Sequence, residues 1–345
     1  MIDYFVILNR PNTIWVSDKY LDSNLDSESY SPELIIKQKK VLESGLNLLK
    51  LKDIVKSSFI TGSTPKYSDE VIKDGAVLLK TVNIDYNNLN DSKFFYISKE
   101  DHENKLKRSK LVKNDLVITV IGATEDVIGR TIVYRGYPQR ANITQSLCKF
   151  SVKEDYDAYY ISTFLNCKYG HALILRKSSS STRKYINNTD LGEIVIPIPS
   201  PEIQKYIGDK VRRAEELREE ARRLIQEVKV ILEKDFNLNK EEINEAKFNW
   251  VLSTNVEDRI DPNFYQKRYL KLIDKLGNDK EKLSKFANLV TRKYKKRNKS
   301  FYIEISNINT TTGLIENASF LNVAEIPTSA KYEVKEGEID RKSVV

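Results

Sequence analysis

Histidine, cysteine, methionine and tryptophan are all scarce in this 345-residue chain, at two, two, one and two copies. His102, His171, Cys148 and Cys167 form no cluster at metal-ligand spacing. They also argue against histidine-based acid–base catalysis, although carboxylate chemistry stays open on composition alone. Two scattered cysteines suit a reducing cytoplasm better than a disulfide framework. No apolar run approaches the roughly 20 residues of a membrane-spanning helix. The N-terminal Met-Ile-Asp-Tyr-Phe lacks the basic start of a signal peptide. A cytoplasmic location and no membrane partner are therefore expected. A phosphate-binding loop is missing too. The run from Gly122 to Thr131 has six residues between its glycines and Arg130 where a lysine belongs, so a hairpin joining the flanking β runs is expected there.

What the chain has is charge, unevenly placed. Lys and Arg exceed Asp and Glu by 57 to 49, giving +8 and a pI near 9.0. Lys105 to Lys113 holds five basic residues in nine. Arg176 to Lys184 flanks five consecutive hydroxyl residues with four basic ones, and Arg292 to Lys299 has six basic residues in eight. One such loop is ordinary solvated surface. Three on an otherwise balanced chain suggest a phosphate backbone as partner.

The longest readable element is Glu202 to Asp235. Ser200 and Pro201 supply an N-cap and a first helical residue. Ile203, Ile207, Val211, Ala214, Leu217, Ala221, Leu224, Val228 and Ile231 then recur at a mean spacing of about 3.5, the coiled-coil repeat. Such a helix is roughly 50 Å long. Its narrow apolar strip either lies on its own domain or pairs with another helix.

Before it, Ser31-Pro32-Glu33 opens a helix expected to reach about Leu49, and Leu51 to Val55 leads into a polar loop, 60–67. Strand-like runs follow at Val77–Ile84, Leu116–Ile121, Arg130–Arg135 and Leu147–Val152. Tyr156–Arg176 is expected to be helical. Glu193–Pro199 is strand-like, but Pro197 and Pro199 confine it to an edge or a strap. Strands and helices do not alternate, so the class expected is α+β. After the long helix the pattern restarts. Trp15, Asp26 and Tyr30 are answered by Trp250, Asp261 and Tyr265; Leu51–Ile54 by Leu283–Phe286; Val82–Ile84 by Ser306–Ile308; Leu111–Leu116 by Val334–Ile339. A repeat of more than 200 residues means duplicated domains.

No catalytic constellation emerges. Asp261-Pro-Asn-Phe-Tyr265 is faintly similar to the Asp-Pro-Pro-Tyr motif of amino-methyltransferases, but its repeat partner lacks the proline and no glycine-rich cofactor turn accompanies it. The chain is expected to be non-catalytic and to hold no cofactor or metal.

The chain resembles the specificity subunits of type I restriction–modification systems. The residues carrying this are Thr61-Gly-Ser-Thr-Pro65, Val117–Gly122 with Gly129-Arg130, Asn142-Ile-Thr-Gln145, Ser180–Thr182, Ile186-Asn187, and Ile196-Pro-Ile-Pro-Ser-Pro-Glu-Ile-Gln204 feeding the long helix. The resemblance implies three parts: a mixed α/β target recognition domain at 1–200, a spacer helix at 201–236, and a partial second recognition domain at 237–345, which ends short of the family pattern. It implies recognition of one half of a split double-stranded DNA target. Two methyltransferase subunits using S-adenosylmethionine, and a motor-nuclease subunit using ATP, would be partners. Candidate DNA contacts are Thr64, Lys66, Tyr67, Lys80, Asn83, Ser180, Ser181, Thr182, Arg183, Lys184, Lys295 and Arg297. Helix pairing, including self-association, is expected through Ile207, Val211, Ala214, Leu217, Ala221, Leu224, Val228 and Ile231. The competing reading is a coiled-coil adaptor that binds protein and not DNA.

Overall fold

The structure, a computed structural model, describes residues 16–21, 26–179 and 183–235. Between 250 and 338 it describes all but 254–255, 257–260, 277–280, 282, 296–297, 309–312 and 316–317. The chain divides into two compact units, Met1–Glu219 and Glu220–Val345.

In the first unit the Ser-Pro-Glu start gives α1 (Pro32–Leu42). The helix stops well short of Leu49, because Gly45 takes a left-handed φ of 71° and turns the chain. The freed residues form β1 (Asn47–Lys50), followed by the single-turn α2 (Leu51–Ile54), β2 (Ile60–Thr61) and β3 (Ala76–Leu79). The strand expected to reach Ile84 ends at Leu79. The Asn83 side chain accepts from the Lys80 amide at 3.0 Å and donates to the carbonyls of Asn90 and Lys93, which bends 81–83 into a 3₁₀ turn. A small hairpin, β4 (Ile84–Asp85) and β5 (Asn88–Leu89), leads to β6 (Tyr96–Ile97).

Next come β7 (Leu116–Thr119), β8 (Ile121–Gly122), β9 (Thr131–Val133), β10 (Ala141–Ile143) and β11 (Leu147–Phe150). The helical region expected at Tyr156–Arg176 is two helices, α3 (Ala158–Asn166) and α4 (Lys168–Lys177), broken at the extended Cys167. A Cβ at Gly170 would lie 2.0 Å from the Phe164 carbonyl oxygen, so only glycine lets α4 fold back this closely. Then follow β12 (Lys184–Tyr185), α5 (Asn188–Gly192), β13 (Val195–Ile198) and the 35-residue α6 (Pro201–Asp235), of which the part from Glu220 on belongs to the second unit. Among the described residues the proline-rich β13 pairs with β1 alone, Leu48 opposite Pro197, as a two-stranded strap.

The centre is β7. It lies in an antiparallel sheet of order β2-β11-β7-β9, with Leu116 opposite both Phe150 and Val133. Leu116 and Ile118 pack into one core with Ile54, Ile161, Leu165, Ile174 and Ile196. Val117 enters a second core with Leu79, Ile84, Ile132 and Ile143 on the other face. That second layer is the sheet β10-β3-β6, in which β10 runs parallel to β3. Helices on one side and a mixed sheet on the other make the class α+β. The run 122–130 joins β8 to β9 as a loop, with the Gly129 amide on the Thr119 carbonyl.

Taken by itself, the second unit contains α7 (Lys267–Leu276), β14 (Lys299–Tyr302) and β15 (Ser319–Asn322). Its local geometry repeats that of the first unit. Asp26 and Asp261 each cap the amide two residues on. Asn307 accepts from the Glu304 amide as Asn83 does from that of Lys80. Glu338 accepts from the Lys335 amide as Asp115 does from that of Val112, after the left-handed residues Gly337 and Asn114. Phe301 pairs with Phe320 as Val77 pairs with Tyr96, each displaced by 224 positions (77 to 301, 96 to 320). Coverage differs: Val77 is buried and Phe301 is 70% exposed. Trp15 lies outside the described residues, and Trp250 is exposed.

One glycine gives a test of how β2 is held. A Cβ at Gly62 would sit 1.9 Å from the Ile143 carbonyl oxygen and 2.7 Å from that of Thr144, both backbone atoms that cannot swing away. Gly62→Ala is expected to cost about 3 kcal/mol or more, read as a lowered denaturation midpoint, with Ser63→Ala near neutral.

Candidate nucleic-acid interface

Several of the loops singled out by sequence meet along one rim of the first unit. The 61–67 loop is bound to the turn between β10 and β11: the Gly62 amide donates to the Leu147 carbonyl, the Ser63 amide to that of Ile143, and the Thr64 hydroxyl meets the Gln145 side chain. The Thr61 hydroxyl donates to Asn188 at 3.2 Å, which ties in the loop after β12. Val120 and Ile121 donate their amides to the Ser146 carbonyl, and Ile121 pairs with Tyr185. Residues 61–64, 145–146, 121 and 185–188 thus share one margin, joined by backbone and side-chain bonds.

Beside it sits a basic–aromatic cluster. The Tyr67 and Phe95 rings meet edge to face at 5.5 Å. The Lys80 ammonium lies 4.2 and 4.1 Å from their centroids and donates to the Tyr67 hydroxyl at 3.0 Å. Two ring faces and a hydroxyl hold this cation with few rotamers free, which lowers the entropy lost when it meets an anion. Lys66 and Thr64 are exposed next to it. Lys93 approaches Phe95 at 5.3 Å but is neutralised by Asp69 at 2.6 Å.

Two expected contacts are corrected. Asn83 is 1% exposed and spends its amide on the 3₁₀ turn, so it cannot reach a base edge. Lys184 is largely buried between Glu28 at 2.6 Å and Glu125 at 3.6 Å. Burial alone would lower its pKa, but these carboxylates outweigh that and raise it. Its charge is committed to holding β12 on the lead-in. Arg176, from the same basic run, is buried too: it donates to the carbonyls of Ser29 and Tyr20 and stacks on Tyr30. Arg183 is exposed on the rim. Ser180, Ser181, Thr182 and Arg297 lie outside the described residues, and Lys295 is exposed in the second unit.

The helix seam is corrected in its first half. Ile207 and Val211, expected to meet a partner helix, pack against the core of their own unit, and Ala214 is half-buried beside them. Leu217, Ala221, Leu224, Val228 and Ile231 are exposed. Sequence reading missed the residues that fasten the helix. Arg135, in the loop after β9, reaches Glu215 and Glu219. No local signal could have paired residues 80 positions apart. Glu215 is buried, and burial pushes its carboxyl up to about 7 against the opposing pull of Arg135, the Tyr159 hydroxyl and Arg218. Burial likewise pushes the Cys148 thiol up to about 12, leaving it inert. Among the described residues no three His, Cys, Asp or Glu side chains gather as a metal site, and no helix is long and apolar enough to cross a membrane.

A family model described as the type I restriction modification DNA specificity domain matches residues 43–230, from the end of α1 nearly to the end of α6. The chain belongs to that family. The chain is 31% identical over 147 residues to the EcoBI specificity subunit of Escherichia coli, spanning 42% of this chain and 29% of that protein. Among solved structures it is similar to the HsdS subunit from Thermoanaerobacter tengcongensis (15% identity, TM-score 0.35, 54% of this chain and 44% of that one). It is also similar to a type I restriction–modification S subunit from M. genitalium (16%, TM-score 0.38, 58% and 48%). The specificity chain therefore spans less than a third of the curated relative's length and about half of each solved subunit's.

Two substitutions check the reassigned charges. Lys184→Ala should lower stability by about 1 kcal/mol, measured by urea denaturation, because two carboxylates lose their partner. Glu215 works in the opposite sense. Its folded pKa of about 7 lies above the ordinary 4.5, so stability is full below pH 4.5 and falls as pH rises towards 7. That loss is of order 3 kcal/mol. Glu215→Gln should flatten the stability curve between pH 5 and 8.

Proposed function

We propose that the chain is the DNA-reading subunit of a type I restriction–modification complex, and that its first unit reads one half of a split double-stranded target. The observation that carries this is the shared margin on which loops 61–67, 145–146 and 183–188 meet beside the caged Lys80, within the stretch matched by the specificity family. Thr64, Gln145 and Asn188 are the side-chain types that read base edges, and Lys66, Lys80 and Arg183 suit phosphates. Residues 237–345 are the opening of a second recognition domain, a reading supported by the repeated caps and strand register. The exposed stripe from Leu217 to Ile231 docks methyltransferase subunits or a second helix. Methyl transfer with S-adenosylmethionine, and ATP-driven cleavage, belong to partner subunits in the cytoplasm, and Tyr67 adds a ring for contact along the backbone.

Binding of fluorescent duplex DNA by the chain with its methyltransferase, titrated over salt concentration, tests this. Lys66→Ala with Lys80→Met should weaken binding to every sequence and reduce the salt slope by about 2, one for each lost phosphate contact. Thr64→Ala should change which sequence is preferred and leave the slope alone. Binding that is independent of salt in the wild type would favour the protein-adaptor reading.

A further inference from the structure

The basic run Lys105–Lys113 splits into two kinds of cation. Lys105 pairs with Asp101 at 2.7 Å, and Lys110 pairs with Glu103. Between them Lys107 and Arg108 stand on a short 3₁₀ turn, Lys107–Ser109. Both are exposed, and among the described residues neither meets a carboxylate, a carbonyl or a ring. The acids nearest in sequence, Asp101 and Glu103, are already taken. Two adjacent positive charges are left bare.

The turn that carries them is mounted more firmly than surface charge requires. Asn142, on β10, is fully buried. Its amide donates to the Leu106 carbonyl at 2.9 Å and to the Ser109 hydroxyl at 3.1 Å, and its oxygen meets Nδ1 of the buried His102. The Ser109 hydroxyl donates to the Leu106 carbonyl at 3.2 Å, and the Leu111 amide donates to the Ala141 carbonyl at 2.9 Å. Bonds on both sides of the turn therefore run to β10. A buried amide with every group satisfied fixes one arrangement, because displacement would leave its donors unpaired in the interior.

β10 is also the strand that leads into the rim. The Ile143 carbonyl accepts from the Ser63 amide, and Gln145 follows two residues later. The basic turn packs beside β2, from which the 61–67 loop hangs. At about 3.3 Å per residue, Asn142 and Gln145 are roughly 10 Å apart, about three base-pair steps of duplex. One strand thus carries the Gln145 turn at its end and the two bare cations on its flank.

We propose that Lys107 and Arg108 bind backbone phosphates flanking the bases that the rim reads, at an offset fixed by their mounting on β10. This rests on the DNA-reading assignment. Phosphate contacts carry no sequence information, but a rigid offset decides which base pairs face the reading loops. The guanidinium fork of Arg108 and the point charge of Lys107 both suit phosphate oxygens.

The test uses the full chain with its methyltransferase and duplexes selected by the parent from a random pool. Lys107→Ala with Arg108→Ala should weaken binding to selected and scrambled duplexes alike and lower the salt slope by about 2. Phosphate ethylation interference should show sensitive phosphates in the parent that no longer matter in this variant, while those that depend on Lys66 and Lys80 persist. An unchanged slope, or an ethylation pattern identical to the parent's, overturns the proposal. If Lys66→Ala with Lys80→Met still lowers the slope, the DNA reading survives that failure. Weaker capture of the methyltransferase at an unchanged slope makes the turn a protein contact and overturns the proposal too. A parent whose binding is independent of salt overturns the DNA reading and the proposal with it. Circular dichroism checks the fold, and Lys107→Gln with Arg108→Gln replaces the alanine pair if that pair disturbs it, with the same outcomes deciding.

Discussion

The constraint on which the rest depends is the burial of β7 on both faces. Leu116 and Ile118 look into the helical core, Val117 into the second sheet, and all four residues of the strand are buried. A strand in that position cannot slip by one residue, because every side chain would change layers. Its neighbours β11 and β9 are therefore held in register, and the connections leaving their ends are carried to defined places. The turn at 144–146 and the strand at 121 belong to those ends, and the 61–67 loop hangs from β2 at the sheet margin. A variable surface can be built on such loops because the frame below them does not depend on their side chains.

Charge on that surface is less than the sequence suggests. Of the basic run Arg176–Lys184, Arg176 and Lys184 serve the interior, one threading between backbone carbonyls and one between two carboxylates. Lys105 and Lys110 pair with Asp101 and Glu103 at the surface. A lysine in the sequence is a solvated cation only if no acid folds up beside it, and Glu28 lies 156 residues from Lys184. Lys80, by contrast, stands in no conspicuous run, and its fixed position comes from two rings that close around it.

The long helix combines two kinds of surface. As far as Glu219 it belongs to the first unit, seated by Ile207 and Val211 on the core, by the Gln204 side chain on the Pro199 carbonyl and by the Arg212–Asp157 pair. Beyond that it presents the uncovered stripe of leucine, valine and isoleucine that its periodicity announces. The same heptad pattern runs through both stretches, which is why the pattern alone assigned Ile207 and Val211 to a partner.

Local determinants were legible in the sequence: the Ser-Pro-Glu helix starts, the proline strap, the α+β class, the recurrence of Asp26–Tyr30 at Asp261–Tyr265 and the family-like motifs. Each depends on contacts within a few residues, on side-chain periodicity, or on proline's missing amide. Tertiary structure decided what rests on distant partners: where α1 and β3 stop, the break at Cys167, the burial of Asn83 and Lys184, and the fastening of α6 by Arg135. Hydrogen bonds and ion pairs between residues 80 or 150 positions apart leave no periodic trace in a single chain. Only the fold brings their ends together.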